Sequence, residues 1–367
     1  MLPGSHSTAK LGPLTTDLRY SMDAETKLIQ KIARAIPSET GAGRGTSRAA
    51  GGLRLGIGND GAVLAPSGRT EWVLSCDAFL EGVHFLADRH PADSVGYKSL
   101  ARATSDLAAM GASPRYFLLT LALPLQRTGA WLDAFLRGMA KVSRQLGIRL
   151  IGGDTKRQAS VAISITVLGE IAPGLAVTRA GARPGNTIYV SGVLGAAELG
   201  LLAVRTGQEL GLKPGRTARS SPLRAHLYPQ IRVGLGVWLA RHRIASAMMD
   251  ISDGLSTDLG RLCSASRVGA RIWADRIPCV EIPAGRTSKR FARPRLDTLQ
   301  LALDGGDDYE LLFTVPPRNE KRLRRAPEFA DLTPIGQVER GRKIVLVGKD
   351  GKTKPLVSGG WDPFRGK

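Results

Sequence analysis

The chain is poor in aromatics, 5% of its 367 residues, and in cysteine, of which it has three. Few aromatics argue against an aromatic-rich β-sandwich, and 44 glycines favour strands and helices joined by many tight turns. Cys76, Cys263 and Cys279 are odd in number and form no C-x-x-C pair, which argues against a disulfide framework or a zinc site. They read as small buried apolar residues and suit a reducing compartment, the cytoplasm. No apolar run has the length of a membrane span. Met1 to Tyr20 lacks the apolar centre of a secretion signal. Acidic residues are scarce too: 32 Asp and Glu face 52 Lys and Arg, a formal net charge of +20. A nucleic-acid partner is one reading of that excess. However, the basic residues are spread over Arg216 to Arg224, Arg286 to Arg295 and Lys321 to Arg325, without interleaved stacking aromatics. They read as a solvated basic surface.

Several catalytic signatures are also missing. No G-x-x-x-x-G-K-[ST] occurs, so P-loop chemistry is out, and no H-R-D or D-F-G set occurs, so a protein kinase is out. No G-x-S-x-G elbow appears. Gly56 to Gly61 matches G-x-G-x-x-G by letter, but Ala62-Val63-Leu64-Ala65-Pro66 and a turn follow where a dinucleotide fingerprint needs a helix.

What the chain does have is acidic residues framed by Gly and Ser. They are Gly58-Asn59-Asp60, Ser75-Cys76-Asp77, Ser105-Asp106, Gly152-Gly153-Asp154, Asp250-Ile251-Ser252-Asp253, Asp258 and Gly306-Asp307-Asp308. Small neighbours let carboxylates converge, and converging carboxylates repel unless a cation sits among them. The natural cation is Mg²⁺, and its natural guest is a nucleotide phosphate. Any one Asp is also a good turn or N-cap residue, and Asp258, one turn into its helix, keeps that bland reading. Asp77 and Asp154 follow apolar strands and are expected at strand ends. Asp106 falls mid-helix among Ala and Leu, a costly place for an unpaired charge. Asp250 and Asp253 bracket a helix start, where backbone N–H groups welcome phosphate. His84 reads as a turn residue or a phosphate ligand, and Arg179 as a phosphate clamp or a solvated loop residue.

Both halves mix strands and helices without strict alternation, which predicts an α+β fold. The predicted division is a disordered extension over 1–21, an N-terminal unit over 22–171 and a C-terminal unit over 172–364. Periodicity predicts helices from Met22 to Ile36, Pro91 to Met110, Trp131 to Leu146, Ala196 to Val204, Gln230 to His242, and from Ser252 or Asp253 to Ser266. Strands are predicted at Trp72 to Ser75, Tyr116 to Leu123, Ile148 to Ile151, Val161 to Leu168, Thr187 to Val190, Leu311 to Val315 and Ile344 to Val347. Ser38 to Gly52 and Gly207 to Pro222 read as loops.

Taken in order, the segments Leu55 to Asp60, Glu81 to Phe85, Ser105 to Ala112, Ile151 to Thr155, Asp250 to Leu255 and Gly305 to Leu311 resemble the thiamine-monophosphate kinases. That family shares a superfamily with aminoimidazole ribonucleotide synthetase and selenophosphate synthetase. The resemblance runs from about Met22 to Phe364. It implies two α/β domains, the N-terminal sheet forming a homodimer interface and the C-terminal domain covering the site. It implies ATP-dependent phosphorylation of thiamine monophosphate to thiamine diphosphate, by direct transfer with no covalent nucleophile on the enzyme. The Mg²⁺ ligands it implies are Asp60, Ser75, Cys76, Asp77, Asp106, Asp154, Asp250 and Asp253. Nucleotide contacts fall on Gly153, Asp154, Arg179 and Ser252, and substrate contacts on His84, Asp307 and Trp361. Four positions depart from the family pattern: Asn59 and Asp307 stand for Asp and Glu, Cys76 for Thr, and Trp361 for Tyr. A thiol is a poor Mg²⁺ ligand, so any coordination at Cys76 falls to backbone oxygen or to Ser75. The rival readings are another ATP-using member of the superfamily and a non-catalytic, basic nucleic-acid-binding relative. Selenophosphate synthetase would want a reactive Cys before Gly56, and a hydrogenase-maturation relative a C-terminal Cys; the chain has neither.

Overall fold

The computed structural model describes residues 53–55, 59–65, 69–207, 221–282, 296–325 and 331–364. The expected extension 1–21, the helix from Met22 and the loop Ser38 to Gly52 lie outside the described residues, as does most of the loop Gly207 to Pro222. Among the described residues no helix is long and apolar enough to cross a membrane.

The first sheet is built from β1 (Leu53–Leu55), β2 (Ala62–Leu64), β3 (Glu71–Leu80), β4 (Ser113–Leu123), β5 (Arg149–Arg157) and β6 (Ala162–Ile171), in the order β1-β2-β3-β6-β4-β5. Its pairs are antiparallel except β4 with β5. Helices α1 (Ala92–Met110) and α2 (Ala130–Leu146) belong to this half of the chain. Both stop where sequence placed the stop: Gly111 and Gly147 take the left-handed conformation, with φ of 76° and 67°, that a Cβ would strain. Fifteen of the nineteen residues of α1 are buried, so it is an internal layer and not a surface helix. Its small side chains permit this. A Cβ on Gly96 would sit 1.9 Å from the Phe135 carbonyl oxygen of α2.

The second half contributes β7 (Thr187–Val190), α3 (Ala196–Thr206), α4 (Pro222–Leu227), α5 (Val233–Arg241), β8 (Ala247–Ile251), α6 (Leu255–Ser266), β9 (Gly269–Trp273), α7 (Thr298–Asp304), β10 (Glu310–Val315), α8 (Pro317–Arg324), β11 (Thr333–Glu339), β12 (Ile344–Val347) and β13 (Thr353–Pro355). Its seven strands order as β13-β12-β9-β11-β7-β10-β8, all antiparallel except β12 with β9. Strand β8 is the edge, bonded to β10 alone. Both halves therefore carry a mixed sheet with helices, the α+β fold expected.

One buried apolar cluster joins them, running from Val73, Leu100 and Phe117 to Met248, Leu311 and Phe313. Helix α1 packs against β3 and β6 on one side and against β8 and α5 on the other. That contact is close: a Cβ on Gly236 of α5 would lie 2.0 Å from the Ala108 carbonyl oxygen. The sequence-based bounds need correcting at two functional places. Asp77 and Asp154 lie inside strands, not at their ends, because β3 pairs with β6 along all ten residues and β5 with β4 through Arg157.

Candidate active site

Alternation along β3 sorts its acidic motif onto two faces. Ser75 and Asp77 face α1, where the Ser75 hydroxyl donates to Asp106 Oδ2 and Arg102 Nε donates to Asp77 Oδ2 at 3.2 Å. Cys76 points to the opposite, open face, exposed and beside the hydroxyls of Ser164 and Thr166. The expectation that all three cysteines are buried therefore fails at Cys76; Cys263 is buried and Cys279 partly so.

Because α1 lies between the halves, Asp106 meets carboxylates from both. Asp60 arrives from the turn before β2 and Asp250 from β8, and oxygens of Asp60, Asp106 and Asp250 lie within 4.8 Å of one another. Arg179 grips Asp60 through Nε at 3.0 Å and Nη2 at 2.8 Å. Its backbone N–H donates to Asn59 Oδ1 at 3.2 Å. One guanidinium does not neutralise three carboxylates. Burial and the charges of Asp77, Asp250 and Asp60 push the Asp106 carboxyl well above its usual range. Burial and Asp60 push Asp250 up to about 7. The buried Ser105 hydroxyl beside Asp106 lowers Asp250, but not enough to offset burial and Asp60. Crowded, oxygen-only and short of positive charge, this donor set fits a hard divalent cation.

A second polar group adjoins the first. Asp307 accepts from Lys98 Nζ at 2.8 Å and from the Tyr309 hydroxyl at 2.6 Å. Burial raises the Asp307 carboxyl, but Lys98, His226 and Arg102 outweigh it and hold the group below its usual range. Asp307 and Tyr309 have φ of 68° and 51°, a left-handed backbone uncommon for residues with a Cβ. Buried Lys98 also reaches His226 Nδ1 at 3.1 Å, and His226 Nε2 lies 3.0 Å from His90 Nε2. Lys98 can only donate, so His226 accepts at Nδ1 and carries its proton on Nε2 toward His90. His84 accepts from the Leu80 N–H at Nδ1, 2.9 Å away, so its own proton is on Nε2. Burial and Arg102 lower His84 to about 4, which leaves a neutral donor at pH 7.

The remaining expected residues are placed less directly. Asp253 is ion-paired with Arg261 and lies outside the carboxylate trio. The helix after it begins at Leu255 with Gly254 as N-cap, not Ser252 or Asp253. The N–H groups of Ser252 and Asp253 are taken by Asp258 Oδ2, at 3.1 and 3.0 Å, so Asp258 serves the backbone as its bland reading held. Trp361 is 48% exposed, its N–H bonded to the Asp253 carbonyl at 3.0 Å. Gly153 and Asp154 are exposed on β5. Register carries Asp154 through Thr120 and Ser164 to Ala78, on the open face with Cys76. Three strand spacings, about 14 Å, separate it from β3. Within one chain the structure does not bring it to the trio.

Sequence reading missed Lys98, Arg102, His226, Tyr309 and Arg261. The signal for the first two was present: Lys98, Arg102 and Asp106 recur at intervals of four in a small-residue helix, which puts three charges on one buried stripe.

Comparison with known proteins adds independent findings. Residues 58–171 match the AIR synthase related protein N-terminal domain, and 183–349 its C-terminal domain. The chain is 36% identical to thiamine-monophosphate kinase of Escherichia coli (strain K12) over 314 residues, 85% of this chain and 92% of that one. Its fold is similar to that of AaThiL complexed with AMPPCP and TMP, with a TM-score of 0.74 and 28% identity, over 93% of this chain and 97% of that one. It is also similar to thiamine-monophosphate kinase from Stenotrophomonas maltophilia K279a, with a TM-score of 0.67 and 37% identity over 82% and 92%.

Proposed function

This chain belongs to the thiamine-monophosphate kinase family of AIR synthase related proteins, and from that premise we propose that its carboxylate site moves the γ-phosphoryl group of ATP directly onto the phosphate of thiamine monophosphate. The product is thiamine diphosphate. The observation that carries the reading is the convergence of Asp60, Asp106 and Asp250 from three separate segments. These three, with Ser75, Asp77 and Asp253 around them, are the residues that would hold Mg²⁺. Bound there, Mg²⁺ supplies positive charge where two anionic phosphates must approach.

The residues of the chain supply positioning. The acceptor phosphate is already a nucleophile, so in-line transfer needs no general base and no nucleophile from the protein. Arg179 and Ser252 belong on the nucleotide side. His84 offers a neutral N–H to an acceptor oxygen, and ionised Asp307 offers a negative charge to the thiazolium cation. Trp361 offers an aromatic face to the same cation, an interaction worth roughly 0.5–2 kcal/mol.

The open face of the first sheet carries an apolar hollow lined by Leu64, Trp72, Leu74, Tyr116 and Leu168. Leu118, in register with Thr166 and Cys76, lies exposed on the same face. A face of this kind suits a second copy of the chain, which supports the expected homodimer. If Gly153 and Asp154 touch nucleotide or metal, they do so for a partner copy. The division near residue 171, with the second unit covering the site, stays part of this proposal. The test of function is purified protein with ATP, Mg²⁺ and a panel of phosphorylated acceptors. Thiamine diphosphate should form from thiamine monophosphate, and equal turnover of aminoimidazole precursors would sink the reading.

A further inference from the structure

We propose that Arg102 is a ligand of the acceptor's phosphate, acting as a pair with His84; the inference rests on the proposed kinase reading and adds a residue to it. Arg102 stands on α1 one turn from Asp106 and one turn from Lys98, between the carboxylate trio and Asp307. Its stem is fixed. Nε donates to Asp77, and the guanidinium carbon lies 5.4 Å from the centroid of the Phe79 ring. Neither Nη group donates to an acceptor among the described residues. A largely buried guanidinium, its side chain 16% exposed, thus keeps the outer half of its fork open. That is an unusual condition for a charged group already withdrawn from water, because charged donors left unsatisfied are costly. Burial works against its charge, but Tyr309, Asp77, Asp307 and Asp106 around it outweigh that and keep it charged.

His84 shares this corner. Its ring lies 5.5 Å from that of Phe79, so one aromatic ring has Arg102 and His84 against it. The Leu80 N–H holds His84 in the tautomer whose free N–H is on Nε2. Two guanidinium N–H groups and one imidazole N–H suit the oxygens of a phosphate monoester. Lys98 is the competing cation, but it is buried and its ammonium already serves Asp307 and His226. It positions Asp307. Asp307 then takes the cationic end of the same acceptor, so the two charges of the acceptor meet two opposite charges of the protein.

The test measures binding to the full-length protein by calorimetry, in EDTA and without nucleotide, with thiamine monophosphate and with thiamine as the phosphate-free probe. Arg102→Gln should weaken thiamine monophosphate by about 10- to 100-fold, the worth of charge-assisted hydrogen bonds, and leave thiamine within about twofold. Arg102→Lys keeps the charge without the fork and should fall between. In steady state the KM for thiamine monophosphate should rise while that for ATP holds. Equal weakening of both ligands, or of neither, overturns the role of Arg102 even where the wild type turns over thiamine monophosphate normally. A wild type that neither binds nor phosphorylates thiamine monophosphate overturns the kinase reading itself, and this inference with it. Should Arg102→Gln fail to fold, the same comparison of the two ligands in Arg102→Lys decides the matter.

Discussion

Replacing Asp106 by Asn should stabilise the metal-free protein while nearly abolishing activity. Oxygens of Asp60, Asp106 and Asp250 lie within 4.8 Å of one another. At that separation two unit charges repel by about 3.5 kcal/mol at an effective dielectric constant of about 20. Arg179 cancels most of the share of Asp60, which leaves roughly one such repulsion plus that of Asp77. Asp106 escapes part of it by taking a proton. Holding a carboxyl protonated at pH 7 costs at most about 4 kcal/mol. Asn has the same shape, no charge and still accepts the Ser75 hydroxyl, and its helix propensity matches that of Asp. The expected gain is therefore about 1–4 kcal/mol.

Its pH dependence has a definite sign. The folded-state values of Asp106 and Asp250 are raised, Asp250 to about 7. Such groups contribute stability at low pH that is lost as pH rises through the folded value. The advantage of Asp106→Asn should thus be largest near pH 8 and shrink toward pH 4. Thermal unfolding in EDTA across that range reads it directly. Adding Mg²⁺ should raise the melting temperature of the wild type more than that of the variant. Turnover should fall about a thousandfold, the equivalent of about 4 kcal/mol of lost transition-state stabilisation. A variant less stable than wild type in EDTA at high pH would show that Asp106 is a structural partner of Ser75. A variant that keeps most of its activity at saturating Mg²⁺ would refute its assignment as a ligand.

Three further outcomes are expected. Trp361→Ala should raise the KM for thiamine monophosphate much more than that for ATP, and if both constants rise alike, or neither moves, Trp361 is structural. Light scattering should find a dimer at micromolar concentration, and Leu118→Glu, which puts a charge on the open face that carries Cys76, should give monomer; a monomeric wild type counts against the interface. Gly236→Ala should lower both stability and activity without touching the site, because its Cβ would lie 2.0 Å from the Ala108 carbonyl oxygen and force α1 away from the second half. A fully active variant with an unchanged melting temperature would show that α1 and α5 have room to part.

Much of the fold was legible where local signals agree. Gly111 and Gly147 end helices that periodicity had outlined, and Thr187 to Val190 and Ile344 to Val347 are strands as read. Polar residues misled the reading of β3 and β5. Ser75 and Asp77 look like the end of a strand, yet in space they are inward residues answered by Asp106 and Arg102. β8 was missed because Asp250 sits in it, next to the motif that announced a helix. The short helix α4 had no expectation attached to it beyond Pro222, the last residue of the expected loop. In the site, the residue types were readable but their company was not. Which carboxylates meet depends on the order of strands in the sheet, and no local pattern encodes that. Asp154 and Cys76 belong to motifs as suggestive as any other, and alternation puts both on the face away from the trio.

Helix α1 shows why the missing residues matter together. Lys98, Arg102 and Asp106 stand on successive turns, about 6 Å apart along the axis. Each is matched to a carboxylate from elsewhere in the chain: Lys98 to Asp307, Arg102 to Asp77, Asp106 to Asp60 and Asp250. The helix thereby holds the backbone positions of Lys98 and Asp106 about 12 Å apart along its axis. It can act as a ruler only if it cannot slide or roll. Its neighbours ensure that, since Gly96 and Gly236 bring α2 and α5 to backbone contact with it on two sides. One residue inserted between Lys98 and Asp106 would turn one end of the stripe about 100° relative to the other. Every side chain would survive, and the three pairings could not form at once. The chemistry of this chain therefore resides as much in the packing that holds α1 as in the charges it carries.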